Sequence, residues 1–336
     1  MAGTGSKVTT LCWVVAGGFA GWAAARLTAA DRVRRTEFPV VPLLSVTPQV
    51  AAAAPWAALG LRLARRRGPA ATAALAAAAL GVAVRPRGIP RPQPTASGPV
   101  LRVLTVNLFH GRGDAETVVA LARQVEADVL CLQELTADTV TRLKQAGLDE
   151  LMPHTQLELR GSKPSSAGSG IYSRFPLGEG PAVEPSMMAQ PTALLELPDG
   201  EEVELICVHP CAPGVRRWGG PTRWRAELGA LPPPGKLPRV LAGDFNATLD
   251  HAAFRDVLRL GYADAAQQTG NALAPTWGIP GKGALLPLDH VLVSPGCAVR
   301  AFSVHAVPFS DHCAVYAEVQ LPLPGLARAG EGTDNR

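Results

Sequence analysis

The sequence predicts an α/β protein, in which packed β-sheets flanked by helices follow an α-helical transmembrane anchor. Three observations predict it. From residue 100 onward, short β-type runs alternate with amphipathic helical stretches, a pattern of sheets covered by helices rather than of an all-β barrel. Ahead of them stand three apolar segments separated by arginines. The charge divides at the same place: residues 1–97 carry 12 Lys/Arg against two acids, a balance of +10, and residues 98–336 carry 20 against 26, a balance of −6.

The apolar segments run from Val8 to Leu27, roughly from Pro39 to Leu61, and from Pro69 to Val84. Crossing the hydrocarbon layer takes about 20 apolar residues, which the first two supply. The third is short and Ala-rich; as a span its flanking Arg67 and Arg85 would snorkel to the interfaces, and a re-entrant or surface helix is the alternative. Pro42, Pro48 and Pro55 predict kinks in the second. A signal peptide cleaved near Ala23–Ala25 is the alternative for the first, and it leaves the following domain on the same side. Three crossings from a cytoplasmic N-terminus put residues 98 onward outside the cytoplasm. The basic residues oppose that orientation: Lys7, Arg62, Arg65, Arg66 and Arg67 would lie inside, against Arg26, Arg32, Arg34, Arg35, Arg85, Arg87 and Arg91 outside. Residues 85–99 read as an extended Pro/Gly/Ser tether, and residues 324–336 as a disordered tail.

In the domain spanning 100–323, strands are predicted at 100–107, 128–133, 169–173, 192–197, 202–208, 238–243, 289–294, 298–305 and 313–321. Asp114 is a predicted N-cap for a helix to about Glu126, Thr136 for one to about Ala146, and Asp250 for one to Leu260. Cys131, Cys207 and Cys313 sit in apolar runs and read as buried thiols. Cys207, His209 and Cys211 have a zinc-like spacing, but no second Cys/His pair follows to complete a structural site. A disulfide through Cys211 or Cys297 is left open by the sequence.

Polar residues recur where the apolar runs end: Asn107, Gln133 and Glu134, His209, Asp244 with Asn246, Asp289 and His290, and Ser310, Asp311 and His312. A sheet brings such ends to one rim, where carboxylates, amides and imidazoles suit a hard metal ion, a water nucleophile and a phosphate ester. Glu134 is the leading metal ligand, Asn107 would add an amide oxygen or donate to phosphate, and Asp311 would reach the ion directly or through water. Asp244 and Asn246 flank Phe245, so an extended backbone points both to one side, suited to water activation and phosphate binding. Asp289 and His312 are read as a pair in which the carboxylate orients the imidazole and favours its charge. His290 is read as structural, and Arg174 as a loop brace. In residues 214–225, Arg216, Arg217, Arg223 and Arg225 surround Trp218 and Trp224, a composition suited to substrate phosphate or to membrane headgroups.

The ordered series TVN (105–107), QE (133–134), GIYSRFP (170–176), VHP (208–210), GDFN (243–246), TW (276–277), LDHVLVS (288–294) and SDH (310–312) resembles the endonuclease/exonuclease/phosphatase superfamily. The resemblance implies a four-layer α/β/β/α sandwich of the DNase I-like kind and cleavage of phosphate esters with Mg²⁺, or alternatively Mn²⁺. It further implies that His312 is a base or charge stabiliser and that His209 is a general acid or phosphate donor. The Arg-rich anchor ahead of the domain is similar to that of the VanJ-type teicoplanin-resistance proteins. That likeness implies a multi-pass cell-membrane enzyme whose partners are the bilayer and a lipid-linked cell-wall precursor. The acidic domain disfavours nucleic acid as partner, and no protein partner is evident. A nuclease or phospholipid phosphodiesterase on the same scaffold is one alternative; a non-catalytic antibiotic-response membrane protein is another.

Overall fold

The computed structural model describes residues 2–33, 37–161, 168–183, 186–279 and 282–323. The region predicted to be an anchor, called the anchor below, contains α1 (Ala2–Leu27), α2 (Glu37–Leu44), α3 (Thr47–Leu63) and α4 (Arg67–Val84). By length and composition α1 and α4 can each cross a membrane, the third predicted span included. The second is not one straight helix: α2 and α3 meet at 78°. The corner falls at Ser45–Val46, between Pro42 within α2 and Pro48 at the start of α3. Backbone groups freed there are satisfied locally, for Thr47 Oγ1 donates to the Leu44 carbonyl at 2.6 Å and accepts from Trp22 Nε1 at 3.1 Å. Small side chains let these helices approach closely: Ala23 of α1 meets Ala76 and Leu80 of α4 in one apolar cluster.

The catalytic-side elements follow in the order β1 (Val100–Asn107), α5 (Ala115–Gln124), β2 (Val129–Leu135), α6 (Ala137–Gln145), α7 (Leu148–Leu151), β3 (His154–Glu158), β4 (Gly168–Ser173), β5 (Leu177–Glu179), β6 (Thr192–Glu196) and β7 (Glu202–Val208). They continue with α8 (Gly220–Gly229), β8 (Arg239–Asp244), α9 (Ala252–Arg259), β9 (Ala263–Asp264), α10 (Ala265–Gln268), β10 (Trp277–Ile279), β11 (Gly283–Leu286), β12 (Asp289–Val293), β13 (Ala298–Ala306) and β14 (Cys313–Gln320). One six-stranded sheet has the order β13-β14-β1-β2-β4-β3, the other β5-β6-β7-β8-β12-β9, and β10 with β11 forms a separate hairpin.

Strand periodicity explains the layers. Leu101, Val103, Val129, Cys131, Val203, Leu205, Cys207, Val240, Ala242, Val291 and Val293 fill the space between the sheets. Their neighbours Leu104, Val106, Leu130 and Leu132 pack outward on Val118, Val119 and Leu143 of α5 and α6. Ile206, Val208, Leu241 and Leu292 pack outward on Trp224, Leu228, Phe254 and Val257 of α8 and α9. The result is the α/β/β/α sandwich. All nine predicted strands form. The short β3, β5, β9, β10 and β11 were not predicted, because edge and hairpin strands of this length lack a continuous apolar run.

Asp114 and Thr136 cap α5 and α6 by accepting from Thr117 N and Thr139 N. Asp250 does not cap α9, whose N-cap is His251. Its carboxylate instead accepts from Arg87 at 2.8 and 2.5 Å and from Arg26 at 2.6 Å, while the N-terminal Ala252 N–H of α9 donates to Asp31 at 2.6 Å. The anchor is thereby bolted to the segment that follows the GDFN motif. His251 Nε2 lies 2.9 Å from the Val41 carbonyl, and Val41 itself is fully buried in the outer core of the second sheet. Nor are residues 85–99 a free tether: Arg91 N donates to Gln268 O at 3.2 Å, Gln93 Nε2 to Val299 O at 2.9 Å, and Gly98 N to Leu321 O at 2.9 Å. Residues 324–336 lie outside the described residues. All six cysteines are free thiols, Cys211 and Cys297 included.

Candidate active site

The inward-facing register of each central strand, continued to the strand's end, meets a polar residue. After Leu101 and Val103 come Thr105 and Asn107; after Cys131, Gln133; after Cys207, His209; after Ala242, Asp244; and Asp289 stands before Val291 on β12. The site is therefore one open end of the space between the sheets. His290 has the opposite parity and faces outward against Phe245 and Phe254, with Nε2 3.0 Å from Ala247 O, a structural role. Glu134 would also face outward in a regular strand. A bulge between Gln133 and Leu135 and a left-handed φ of 54° turn it to the rim instead. Gly243 allows β8 to reach the site, since a Cβ there would lie 2.0 Å from Val208 O.

Asn107 joins the two sheets: its Nδ2 donates to Glu134 Oε1 at 3.3 Å and to Asp244 Oδ2 at 3.1 Å. Its amide oxygen accepts from Phe109 N at 3.0 Å, and its amide nitrogen bridges the two carboxylates. Glu134 Oε2 accepts from His110 N at 2.7 Å and lies 3.1 Å from His110 Nδ1. Burial would raise the Glu134 pKa, but the imidazoles of His209 and His110 and these N–H donors hold it below its ordinary value.

His312 Nδ1 lies 2.8 Å from Asp289 Oδ2, and its Nε2 lies 3.6 Å from Asp244 Oδ2. Burial works against a charged imidazole, but Asp289 and Asp244 outweigh it and push His312 up to about 10. Asp244 moves up to about 7, lifted by burial and by Asp289 against the pull of His312. His209 is driven down to about 4 by burial, which the charge of Glu134 does not offset. Its backbone N–H is held by Gln190 at 2.9 Å, and its Nδ1 has no partner among the described residues. Asn246, at φ 49°, donates from Nδ2 to Pro210 O at 3.1 Å, and its N–H donates to Asp244 Oδ1 at 2.8 Å. Asp311 accepts from Trp277 Nε1 at 3.0 Å, and burial raises its pKa.

Thr276 is the residue that sequence reasoning missed. Its hydroxyl donates to Asp289 Oδ2 at 2.6 Å and accepts from the N–H groups of Leu288 and Asp289, so it sets the carboxylate that faces His312. The TW pair at 276–277 was its signal. Gln190 had none.

Glu134, His209, Asp244, Asn246, Asp311 and His312 line one cleft of about 510 Å³. Pro42 and Ser45 of the anchor and Val215 and Trp218 of the 214–225 loop also line it. The four arginines of that loop do not. Arg225 pairs with Glu37 of α2 at 3.2 Å, Arg216 covers the Phe38 ring at 5.3 Å, Arg217 covers Trp218, and Arg223 is exposed. Trp224 is fully buried and donates to Phe245 O, so it is a core residue and not a headgroup contact. The reason is helical: α8 starts at Gly220, turns Trp224 inward and leaves Arg225 beside α2.

A divalent cation fits this rim. Four carboxylates, Glu134, Asp244, Asp289 and Asp311, converge there, and buried Oδ1 atoms of Asp289 and Asp311 have no hydrogen-bond partner among the described residues. Asp244, Asp289 and His312 offer ligand atoms within 4.8 Å of one another. Since His312 Nδ1 is engaged with Asp289, the oxygens of Glu134 and Asp244 are the better donors for a hard ion.

Residues 104–312 match the Endonuclease/Exonuclease/phosphatase family. Among solved structures, an endonuclease/exonuclease/phosphatase from Beutenbergia cavernae has a TM-score of 0.51 at 21% identity, over 66% of this chain and 72% of that one. A humanized TDP2 of D. rerio carrying 14 mutations has a TM-score of 0.52 at 17% identity, over 66% of this chain and 98% of that one. No curated protein matches the sequence. The two structures share the fold, and the family match runs from the inner strand β1 to the rim histidine, so the chain belongs to the endonuclease/exonuclease/phosphatase family of typically metal-dependent hydrolases.

Proposed function

We propose that this chain is a membrane-anchored phosphoesterase that hydrolyses a phosphate or pyrophosphate ester on a lipid-linked cell-wall precursor and thereby contributes to teicoplanin resistance. The observation that carries the reading is the double origin of the cleft: catalytic groups form its floor while Pro42 and Ser45, from the apolar helical region, form part of its wall. Val215, Leu286 and Leu288 extend that wall with apolar surface suited to a lipid stem. The resemblance to the VanJ-type proteins adds the cell-wall context.

Glu134 and Asp244 would hold a Mg²⁺ or Mn²⁺ ion, which when bound neutralises phosphate charge as a Lewis acid. Asp244, at the centre of the rim, would also orient or deprotonate the attacking water. His312 is charged at that pH and stabilises the negative phosphorane-like transition state rather than acting as base. Neutral His209 donates a hydrogen bond to a phosphate or leaving oxygen. Asn246 Oδ1 and Asp311 complete the polar floor.

α1 and α4 both end on the catalytic side, and Arg66 of the α3–α4 turn donates to Thr9 near the far end of α1 at 3.0 Å. This supports an N-terminus opposite the domain, so a cytoplasmic N-terminus would make the catalytic domain extracytoplasmic. The arginine count still opposes that orientation: Asp250 shares one charge between Arg26 and Arg87, and Asp256 one between Arg32 and Arg259.

The purified full chain with Mg²⁺ is to be given undecaprenyl pyrophosphate, a phospholipid, supercoiled DNA and a soluble phosphodiester, with Glu134→Gln as control. Turnover of the lipid pyrophosphate, lost in the control, is expected. Glu134-dependent nicking of DNA without lipid turnover would replace the reading with that of a nuclease. Protease protection in intact protoplasts reports the orientation.

A further inference from the structure

We propose that a basic pocket at the junction of anchor and catalytic domain binds the headgroup of an anionic phospholipid from the leaflet in which α1 and α4 end. The inference rests on the reading that these helices span a bilayer. The pocket holds about 350 Å³ and shares no lining residue with the active-site cleft. Five arginines line it: Arg26 from α1, Arg87 and Arg91 from the segment after α4, and Arg255 and Arg259 from α9.

Its acids do not balance them. Asp250 answers both Arg26 and Arg87, at 2.6 and 2.5 Å. Asp256 is divided between Arg259 and Arg32, which lies outside the pocket. Asp31 accepts from the Ala252 N–H and adds a third negative charge nearby, which leaves three acids against six arginines when Arg32 is counted. Arg255 is bonded only to carbonyls, donating to Leu249 O at 3.1 Å and to Asp250 O at 2.6 Å. Arg91 is exposed and has no ion pair among the described residues. Burial first, and then the charge of Arg26, push the Arg255 pKa down to about 10 against the pull of Asp31 and Asp250.

An anion relieves that repulsion, and guanidinium groups match a phosphate diester through paired N–H donors. The neighbouring wall selects the source of the phosphate. Val82 and Ala83, in the last turn of α4, and Leu249 and Leu258 give the pocket an apolar side next to the end of a membrane-length helix. A phospholipid headgroup arrives at that depth with its acyl chains already in the bilayer, whereas a soluble phosphate would leave the apolar side uncovered. Such a lipid would brace the residues 249–250 that follow Asn246 by three and four positions, coupling the bilayer to the active-site rim.

The test uses the full chain in detergent, titrated with phosphatidylglycerol, phosphatidylcholine and inorganic phosphate, with lipid retention and thermal unfolding as readouts. The variant Arg91→Gln/Arg259→Gln removes two exposed cations without touching the buried Asp250 contacts. Phosphatidylglycerol is expected to be retained at least ~10-fold better than phosphatidylcholine. The double variant is expected to lose about 30-fold in that retention while hydrolysing a soluble ester normally, since each basic residue at an anionic surface contributes about a factor of five. Equal retention of the two lipids, or an unaltered double variant, would overturn the site. Displacement of the lipid by inorganic phosphate would assign the pocket to a free anion and overturn the lipid assignment. Release of the wild-type chain from vesicles by alkaline carbonate would overturn the anchor reading and this site with it, whereas retention with no headgroup preference would overturn the site alone.

Discussion

Replacing Asp250 by asparagine keeps the side chain's shape and removes the one charge that two anchor arginines share. Arg87 is 3% exposed and Arg26 12%, so both guanidiniums would be left buried beside a neutral amide. Breaking a buried ion pair from one side costs about 3–5 kcal/mol. For a domain of this size, roughly 2–4 °C is lost per kcal/mol, so the melting temperature of the full chain in detergent is expected to fall by about 6–20 °C. Limited proteolysis should cut residues 85–99 sooner, because that segment is held beside Arg87. The pH dependence has a definite sign. Burial alone would raise the Asp250 pKa, but Arg87 and Arg26 outweigh it and hold it below the ordinary 3.8. A carboxylate depressed on folding stabilises the protein fully above its unfolded pKa, and that stabilisation is lost as pH falls through the folded value. The wild type should therefore lose this contribution below about pH 4, and Asp250→Asn should lack that part of the acid transition. A melting shift under about 2 °C, or an unchanged acid profile, would refute the idea that this clamp joins anchor to domain.

Glu134→Gln should lower turnover by about 100-fold or more with little change in melting temperature, and calorimetry should show weakened Mg²⁺ or Mn²⁺ binding; full activity would contradict the assigned metal position. Thr276→Val leaves the Leu288 and Asp289 N–H groups unpaired and loosens Asp289, so about 2–4 kcal/mol of stability and about 10-fold or more in kcat should be lost, measured by melting and steady-state kinetics. Because His312 and Asp289 act as a unit, His312→Gln and Asp289→Asn should be non-additive, the double variant costing about as much as the worse single one. Gly243→Ala should prevent accumulation of folded protein, since its methyl group would overlap Val208 O at 2.0 Å.

Much of the candidate site was legible because strand ends announce themselves. In LRVLTVN, the alternation that buries Leu101 and Val103 between the sheets carries straight on to Asn107, and the same count places His209, Asp244 and Asp289. The opposite count disposes of His290. Glu134 was found by composition and motif, although regular alternation would have pointed it outward; the bulge that redirects it is a backbone event without a residue signature of its own. The 214–225 arginines lie outside the cleft lining, and from Gly220 onward helical angle buries Trp224 and sets Arg225 beside α2. What looked like a basic cluster became one buried tryptophan, braces on α2 and exposed surface.

The linear chain determined the apolar periods, and with them the two sheets, the outer helices α5, α6 and α9, two of three caps and the set of polar groups at the rim. These depend on neighbours two to four positions apart, which sequence order records directly. The tertiary structure alone decided that Asp250 binds Arg26 and Arg87 instead of capping α9, that Thr276 holds Asp289, and that Pro42 and Ser45 wall the cleft. Asp250 and Arg26 are 224 positions apart, and Arg87 is 163 from the same carboxylate. Local propensity does not encode which distant charge a buried acid will meet; only the packing of anchor on sandwich brings them together.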